Sequence, residues 1–269
     1  ALKVIKSGES VLIDYGVADE DAWEVGLSCG GALSVFIQPF FAKDLWEEIR
    51  TADQEQTGRL LITDLDAGGV NQLLSPDEAK ALEGSLSEAS LKLYNTRQHG
   101  RVEADGKLYF QQALPPPPRM IMIGSAHISS ELTGLAHQYG FETILIDPRD
   151  TFAKKTHFDS APGQVHVKWP QEALPDYHLG PHDYIVILSH DPKIDDEALK
   201  IVLKTDVAYV GALGSRKTHA KRVARLQGYG FSEEEIARID APIGMDIAAN
   251  SAAEIALSIL SQVIKVKNS

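Results

Sequence analysis

Apolar and polar residues are arranged in two different styles on either side of a run of four prolines, Pro115 to Pro118. Upstream, Val11-Leu12-Ile13-Asp14-Tyr15 and Leu33-Ser34-Val35-Phe36-Ile37 read as strands. The spacing predicts a helix from Ala42 to Thr51 and a further strand at Leu60-Leu61-Ile62-Thr63. Arg101-Val102-Glu103 and Lys107-Leu108-Tyr109-Phe110 flank Ala104-Asp105-Gly106, a hairpin turn, because Asp-Gly tolerates the positive φ such turns need. No strand–helix–strand rhythm joins these elements, which predicts an α+β domain over residues 1–114. The prolines cannot be helical and offer no backbone donors, so 115–118 reads as a stiff linker.

Downstream, over residues 119–269, the order becomes regular. Met120-Ile121-Met122-Ile123 is a buried-type strand, Leu132, Leu135 and Ala136 recur at helical spacing, and Thr143-Ile144-Leu145-Ile146 is a second strand ending in Asp147. A weaker strand lies near Val165-His166-Val167, and Asp183 to Leu188 is another buried run. A helix from Asp195 to Lys204 leads to Val207-Ala208-Tyr209-Val210, and two helices close the chain, the last from about Ala252 to Val266. This alternation predicts an α/β protein whose C-terminal part is a Rossmann-like, doubly wound parallel sheet, preceded by the smaller α+β N-terminal domain. Such sheets bind ligands at the carboxyl ends of their strands. Three polar turns are thereby brought to one edge: Gly124 to His127, Ser189 to Asp191, and Gly211 to Lys217.

The first turn departs from the dinucleotide fingerprint G-x-G-x-x-G. Gly124 is kept, but Ala126 and Ser129 stand where the second and third glycines belong. A methyl group at 126 sits where the backbone approaches a pyrophosphate, so a nucleotide-like ligand is expected but a standard NAD dehydrogenase is not. Asp147 is placed to accept a ribose 2′-hydroxyl, or it is a strand-ending turn residue. Arg149 pairs either with Asp147 or with a phosphate. Gly211-Ala212-Leu213-Gly214-Ser215-Arg216-Lys217 offers backbone N–H groups and two cations to an anion, or is a plain strand-to-helix turn; its spacing is not that of a Walker A loop. His127 and His190 follow strands beside this edge and are read as ligand contacts rather than catalysts. Asp246 either lines the cleft or helps cap the last helix.

Composition narrows the class. The net charge of −12 argues against nucleic acid and against an anionic membrane surface. No apolar run reaches the roughly 20 residues of a membrane span, and Ala1-Leu2-Lys3-Val4 does not read as a signal peptide. A single cysteine, Cys29, excludes an intramolecular disulfide and multi-cysteine metal sites. These features predict a cytoplasmic protein. Cys29 lies among glycines, Gly26, Gly30 and Gly31, ahead of a strand. It is either a small buried hydrophobe or an accessible thiolate, a soft metal ligand able to carry sulfur as a persulfide.

In wording and order, several stretches resemble the xanthine dehydrogenase accessory factor family of XdhC/CoxI type. They are Gly26-Leu27-Ser28-Cys29-Gly30-Gly31, the prolines before Met120 to His127, Ile146-Asp147-Pro148-Arg149, Ser189-His190-Asp191, Tyr209 to Lys217, and Pro242-Ile243-Gly244-Met245-Asp246-Ile247. The resemblance runs from about Gly8 to Val263. It implies an accessory protein, rather than an enzyme in its own right, for a molybdenum hydroxylase such as xanthine dehydrogenase. Its cargo would be the molybdenum cofactor (molybdopterin), which it binds, protects during sulfuration and helps to insert. Cys29, with Gly30 and Gly31, would handle the metal or its sulfur. Gly124, Ser125, Ala126, His127, Asp147, Arg149, His190, Gly211, Gly214, Ser215, Arg216, Lys217 and Asp246 would form a cofactor- or nucleotide-binding edge, with NAD(P) as a candidate occupant. The expected partners are the client hydroxylase, a cysteine desulfurase and a second copy of the chain. Family members begin with a further glycine-cysteine segment that has no match here, so the chain is expected to start partway into the amino-terminal domain. The alternative from another class is an NAD(P)-dependent oxidoreductase with Asp147 on the ribose and His127 or His190 as proton shuttle. A third reading is a Rossmann domain that has lost its ligand and serves as an interaction module.

Overall fold

A computed structural model of the chain describes residues 1–15, 33–39, 43–55, 57–125, 127–149 and 159–269. These residues fall into two compact units, Ala1–Pro116 and Pro117–Ser269.

The first unit contains helix α1 (Leu2–Ser7), an antiparallel pair β1 (Val11–Tyr15) and β2 (Leu33–Ile37), and helix α2 (Lys43–Gln54). Then come β3 (Arg59–Asp64), β4 (Val70–Leu74), α3 (Pro76–Lys80), α4 (Ser85–Asn95), β5 (His99–Ala104) and β6 (Lys107–Leu114). The last four strands form an antiparallel sheet in the order β4-β3-β6-β5. Asp105 and Gly106 both take positive φ, 53° and 73°, which is the two-residue turn that the Asp-Gly pair predicts. Helix α4 packs Tyr94 against Leu60 and Ala113, and its Ser90 hydroxyl accepts a 2.9 Å hydrogen bond from the buried Gln111 amide. β4, α3 and α4 add to the elements read from the sequence. Val70-Asn71-Gln72-Leu73-Leu74 is an edge strand with polar residues at its centre, and it pairs on one side only.

The second unit runs β7 (Arg119–Ile123), α5 (His127–Gln138), β8 (Glu142–Ile146), β9 (Gln164–His166), α6 (Pro170–Ala173) and β10 (Asp183–Ile187). It continues with α7 (Pro192–Val202), β11 (Tyr209–Ala212), α8 (Arg216–Gly228), α9 (Glu233–Ala237), β12 (Ile239–Asp240) and α10 (Ala252–Lys267). Its six strands are all parallel, in the order β12-β11-β10-β7-β8-β9. The chain winds outward from β7 in one direction and from β10 in the other, so the topological switch lies between β7 and β10. One face of the sheet is covered by α5 and α10, where Leu132, Ala136, Ile259 and Val263 pack on Met120, Met122 and Val186. The other carries Ile194, Leu199 and Leu226 from α7 and α8 against Ile121, Ile123, Ile185 and Ile187. Burial on both faces is why these strands read as unbroken apolar runs. At the amino edge, Arg119 grips Asp183 with two hydrogen bonds of 2.7 and 2.9 Å, clamping β7 to β10.

Three boundaries differ from expectation. Helix α7 starts at Pro192, because Asp191 caps it by accepting from the Lys193 amide and proline suits the first helical position. β11 starts at Tyr209 and runs through Gly211. The short pair α9 and β12 intervenes between the two closing helices that the periodicity predicts.

Candidate functional site

Each of β7, β10 and β11 is followed by a helix, so α5, α7 and α8 all begin at the carboxyl edge of the sheet. At the switch point the turns after β7 and β10 touch. Gly124 has φ of +102°, and a Cβ there would lie 2.5 Å from both N and Cα of Ser189. Glycine is therefore required for contact with the neighbouring turn.

Asp147 follows β8 directly and is fully buried. Its Oδ2 accepts from the Ser125 amide at 2.6 Å and from Arg149 Nη2 at 2.7 Å. Its Oδ1 accepts from the Arg149 amide and from Arg149 Nε, both at 2.9 Å. Arg149 thus pairs with Asp147. Burial pushes the Asp147 carboxyl upward, but the Arg149 guanidinium with the Ser125 and Arg149 amides outweighs it and holds the group below its ordinary range. Arg149 in turn is held further toward its charged form, by Asp147 foremost and by the nearby charges of Asp191 and Asp195.

A second polar chain joins the turns after β10 and β11. The Ser189 hydroxyl accepts from the Asp191 amide at 3.1 Å and donates to Asp195. Arg222 of α8, only 2% exposed, places Nη2 3.3 Å from Asp195 Oδ2 and 3.0 Å from the Leu213 carbonyl. Burial raises the Asp195 carboxyl above its ordinary range against the pull of Ser189 and Arg222. Sequence reasoning did not single out Ser189, Asp195 or Arg222 as a network. A signal exists for Arg222: it precedes Leu226 by one helical turn, on the stripe that faces the core.

The turn after β11 is shorter than its motif suggested. Gly211 is buried in the strand, where a Cβ would meet the Tyr209 hydroxyl at 2.4 Å and Ile243 Cδ1 at 2.5 Å, so packing there requires glycine. Gly214 makes the turn with φ of +133°. Ser215 caps α8, its Oγ accepting from the Thr218 amide at 3.2 Å. Arg216 and Lys217 follow, both exposed, and the first turn of α8 contains no acid. That is a cationic helix start, suited to an anion.

His127 is the exposed first residue of α5, and His190 is exposed with φ of +60°. Among the described residues, no three His, Cys, Asp or Glu side chains cluster as a metal site. Asp246 is exposed and accepts from the Ala248 amide at 3.3 Å. It does not cap α10: Ser251 does, in a capping box with Glu254. The Asp246 loop is nonetheless tied to the same edge, because the Ile243 amide donates to the Ala212 carbonyl at 3.2 Å. Cys29, Gly30, Gly31 and Ala126 lie outside the described residues. Among the described residues no helix is long and apolar enough to cross a membrane.

Similarity to known proteins covers both units. A probable xanthine dehydrogenase subunit of Bacillus subtilis (strain 168) is 23% identical over 264 residues, 96% of this chain and 77% of that protein. "Molybdenum cofactor insertion chaperone PaoD" of Escherichia coli (strain K12) is 36% identical over 83 residues, 31% of this chain and 26% of its own length. A crystal structure of a xanthine dehydrogenase from Bacillus halodurans shares the fold, with a TM-score of 0.67 at 22% identity over 98% of this chain and 77% of that one. The family model described as the XdhC Rossmann domain matches residues 120–263, nearly the whole parallel-sheet unit. By that match the chain belongs to the XdhC/CoxI-type family.

Proposed function

We propose that this protein is an accessory factor for a molybdenum hydroxylase of the xanthine dehydrogenase type, carrying the molybdenum cofactor and assisting its sulfuration and insertion. The observation that carries this reading is the family match over the unit whose carboxyl edge starts α8 with Arg216 and Lys217. Molybdopterin is a phosphate-bearing pterin dithiolene. Its phosphate suits a helix start with two exposed cations, and local N–H dipoles can outweigh the distributed charge of −12. Relatives named for xanthine dehydrogenase and for cofactor insertion support the same cargo and client.

In this reading Cys29 supplies the soft group that meets the metal end or holds its incoming sulfur, a cysteine desulfurase delivers that sulfur, and the working form is a homodimer. The prolines 115–118 link the unit that carries Cys29 to the unit that carries the phosphate-binding edge. The oxidoreductase alternative is weakened by Asp147, whose carboxylate is occupied by Arg149 and Ser125 rather than presented to a ribose.

Reconstitution of an apo molybdenum hydroxylase with isolated cofactor tests the reading. The wild-type protein should accelerate reactivation and Cys29→Ser should lose most of that effect while remaining folded. Equal reactivation by both would return Cys29 to a structural role, and no acceleration by the wild type would overturn the accessory function.

A further inference from the structure

We infer that Asp147 is a positioning residue and that Arg149 is the ligand-facing group at the β8 end of this edge, its guanidinium plane receiving a planar nitrogen heterocycle, a pterin or a nucleobase. This rests on the ligand-binding carboxyl edge proposed above and specifies which part of a ligand goes where.

The acid is spent. An ionised carboxylate offers about four acceptor positions, and Asp147 uses them on the Ser125 amide, the Arg149 amide, Arg149 Nε and Arg149 Nη2. With the side chain 0% exposed, a ribose hydroxyl would have to displace a charge-assisted bond to be read at all. The same bonds hold Arg149 by its backbone and by one edge of its guanidinium, which fixes the plane of the group. That side chain is 37% exposed, so a ligand can reach it.

Charge decides what it meets. Arg149 sits beside three carboxyl groups, Asp147 in contact and Asp191 and Asp195 nearby. A phosphate brought to this end would face those acids, whereas an uncharged ring would not. A fixed, weakly hydrated guanidinium stacks well on flat π systems. The cations without an acid in their own helical turn, Arg216 and Lys217, lie at the end of β11. β8 and β11 are separated by β7 and β10, about 14 Å at about 4.8 Å per strand step. The edge therefore suits an extended ligand with its ring over Arg149 and its phosphate at α8.

Titration calorimetry with AMP, 2′-deoxy-AMP, ribose 5-phosphate and neopterin tests the assignment on the full chain. AMP and 2′-deoxy-AMP should bind alike, within about twofold, and ribose 5-phosphate should bind at least about tenfold more weakly, the loss expected when one stacked base is removed. Arg149→Lys keeps the charge but not the plane and should cost AMP about tenfold. Asp147→Asn should produce a similar loss for AMP with ribose 5-phosphate unchanged, whereas a merely structural defect would weaken both. Competition by neopterin would place a pterin on Arg149, and its absence a nucleobase; either upholds the stacking role. A strong preference for AMP over 2′-deoxy-AMP, with Arg149→Lys unaffected, would overturn it. So would failure of the wild type to bind any base-bearing probe, a result that leaves reactivation of the client enzyme to judge the accessory role independently.

Discussion

Gly124 and Ser189 approach so closely that position 124 has no room for a side chain: a Cβ there would stand 2.5 Å from the Ser189 backbone. The two residues lie just past the ends of adjacent parallel strands, at the point where the winding of the sheet reverses. Gly124→Ala combines this clash with a φ of +102°, so it is expected to destabilise the protein by about 2–3 kcal/mol or more. Gly134 in α5 provides the control. A Cβ there meets Ser160 at an ordinary 3.6 Å, so Gly134→Ala should be neutral or stabilising by up to about 1 kcal/mol. Urea unfolding of both variants measures the contrast, and equal effects would refute the account of the turn.

That pair also shows what the sequence could and could not convey. The glycine, the strand before it and the acid after the next strand were legible, because period-2 and helical patterns mark buried strands and their crossovers. So was the turn at Asp105-Gly106, whose φ angles follow from residue chemistry. What the glycines and the acid are for was not legible. Gly124 faces a neighbouring turn and Gly211 faces Tyr209 and Ile243, contacts that local patterning does not encode. Asp147 reads from the sequence either as a ribose acceptor or as a turn residue, and its bonds to the Ser125 amide and Arg149 are not encoded locally. Arg222 escaped notice because a buried arginine contradicts composition rules unless its partner, Asp195, is known to be adjacent.

The Asp147 carboxyl gives a signed pH dependence. Burial alone would raise it, but Arg149 and the two amides hold it below the ordinary value of 3.8. A lowered carboxyl contributes stability above its unfolded value and loses it as pH falls through the lower folded value. Thermal unfolding of the wild type should therefore weaken progressively below about pH 4. Asp147→Asn should be less stable at neutral pH and show a shallower acid limb. Parallel acid limbs in the two proteins would mean that the clamp contributes nothing to folding.

The Asp195–Arg222 pair should behave as a coupled unit. Arg222→Met leaves a buried carboxyl whose remaining side-chain partner is Ser189, at an expected cost of about 3–5 kcal/mol. Arg222 Nε and Nη1 are buried without a hydrogen-bond partner among the described residues, so the pair is itself only partly satisfied. Adding Asp195→Asn to Arg222→Met should accordingly recover a good part of the loss. A double-mutant cycle by denaturant unfolding reads the coupling, expected above about 1 kcal/mol for groups in contact. Strict additivity would place Arg222 in packing alone.

The proposed role requires that this chain carry the molybdenum cofactor. Its most direct test is equilibrium retention of isolated cofactor, with protein-bound molybdenum and pterin quantified together, for the wild type and for Arg216→Gln/Lys217→Gln. The wild type should retain both in equal amounts. The variant should retain less, with a flatter salt dependence and unchanged unfolding, because exposed cations at a helix start add nothing to its stability. Retention of neither component by the wild type, together with tight NAD binding and hydride transfer to a carbonyl substrate, would contradict the claim.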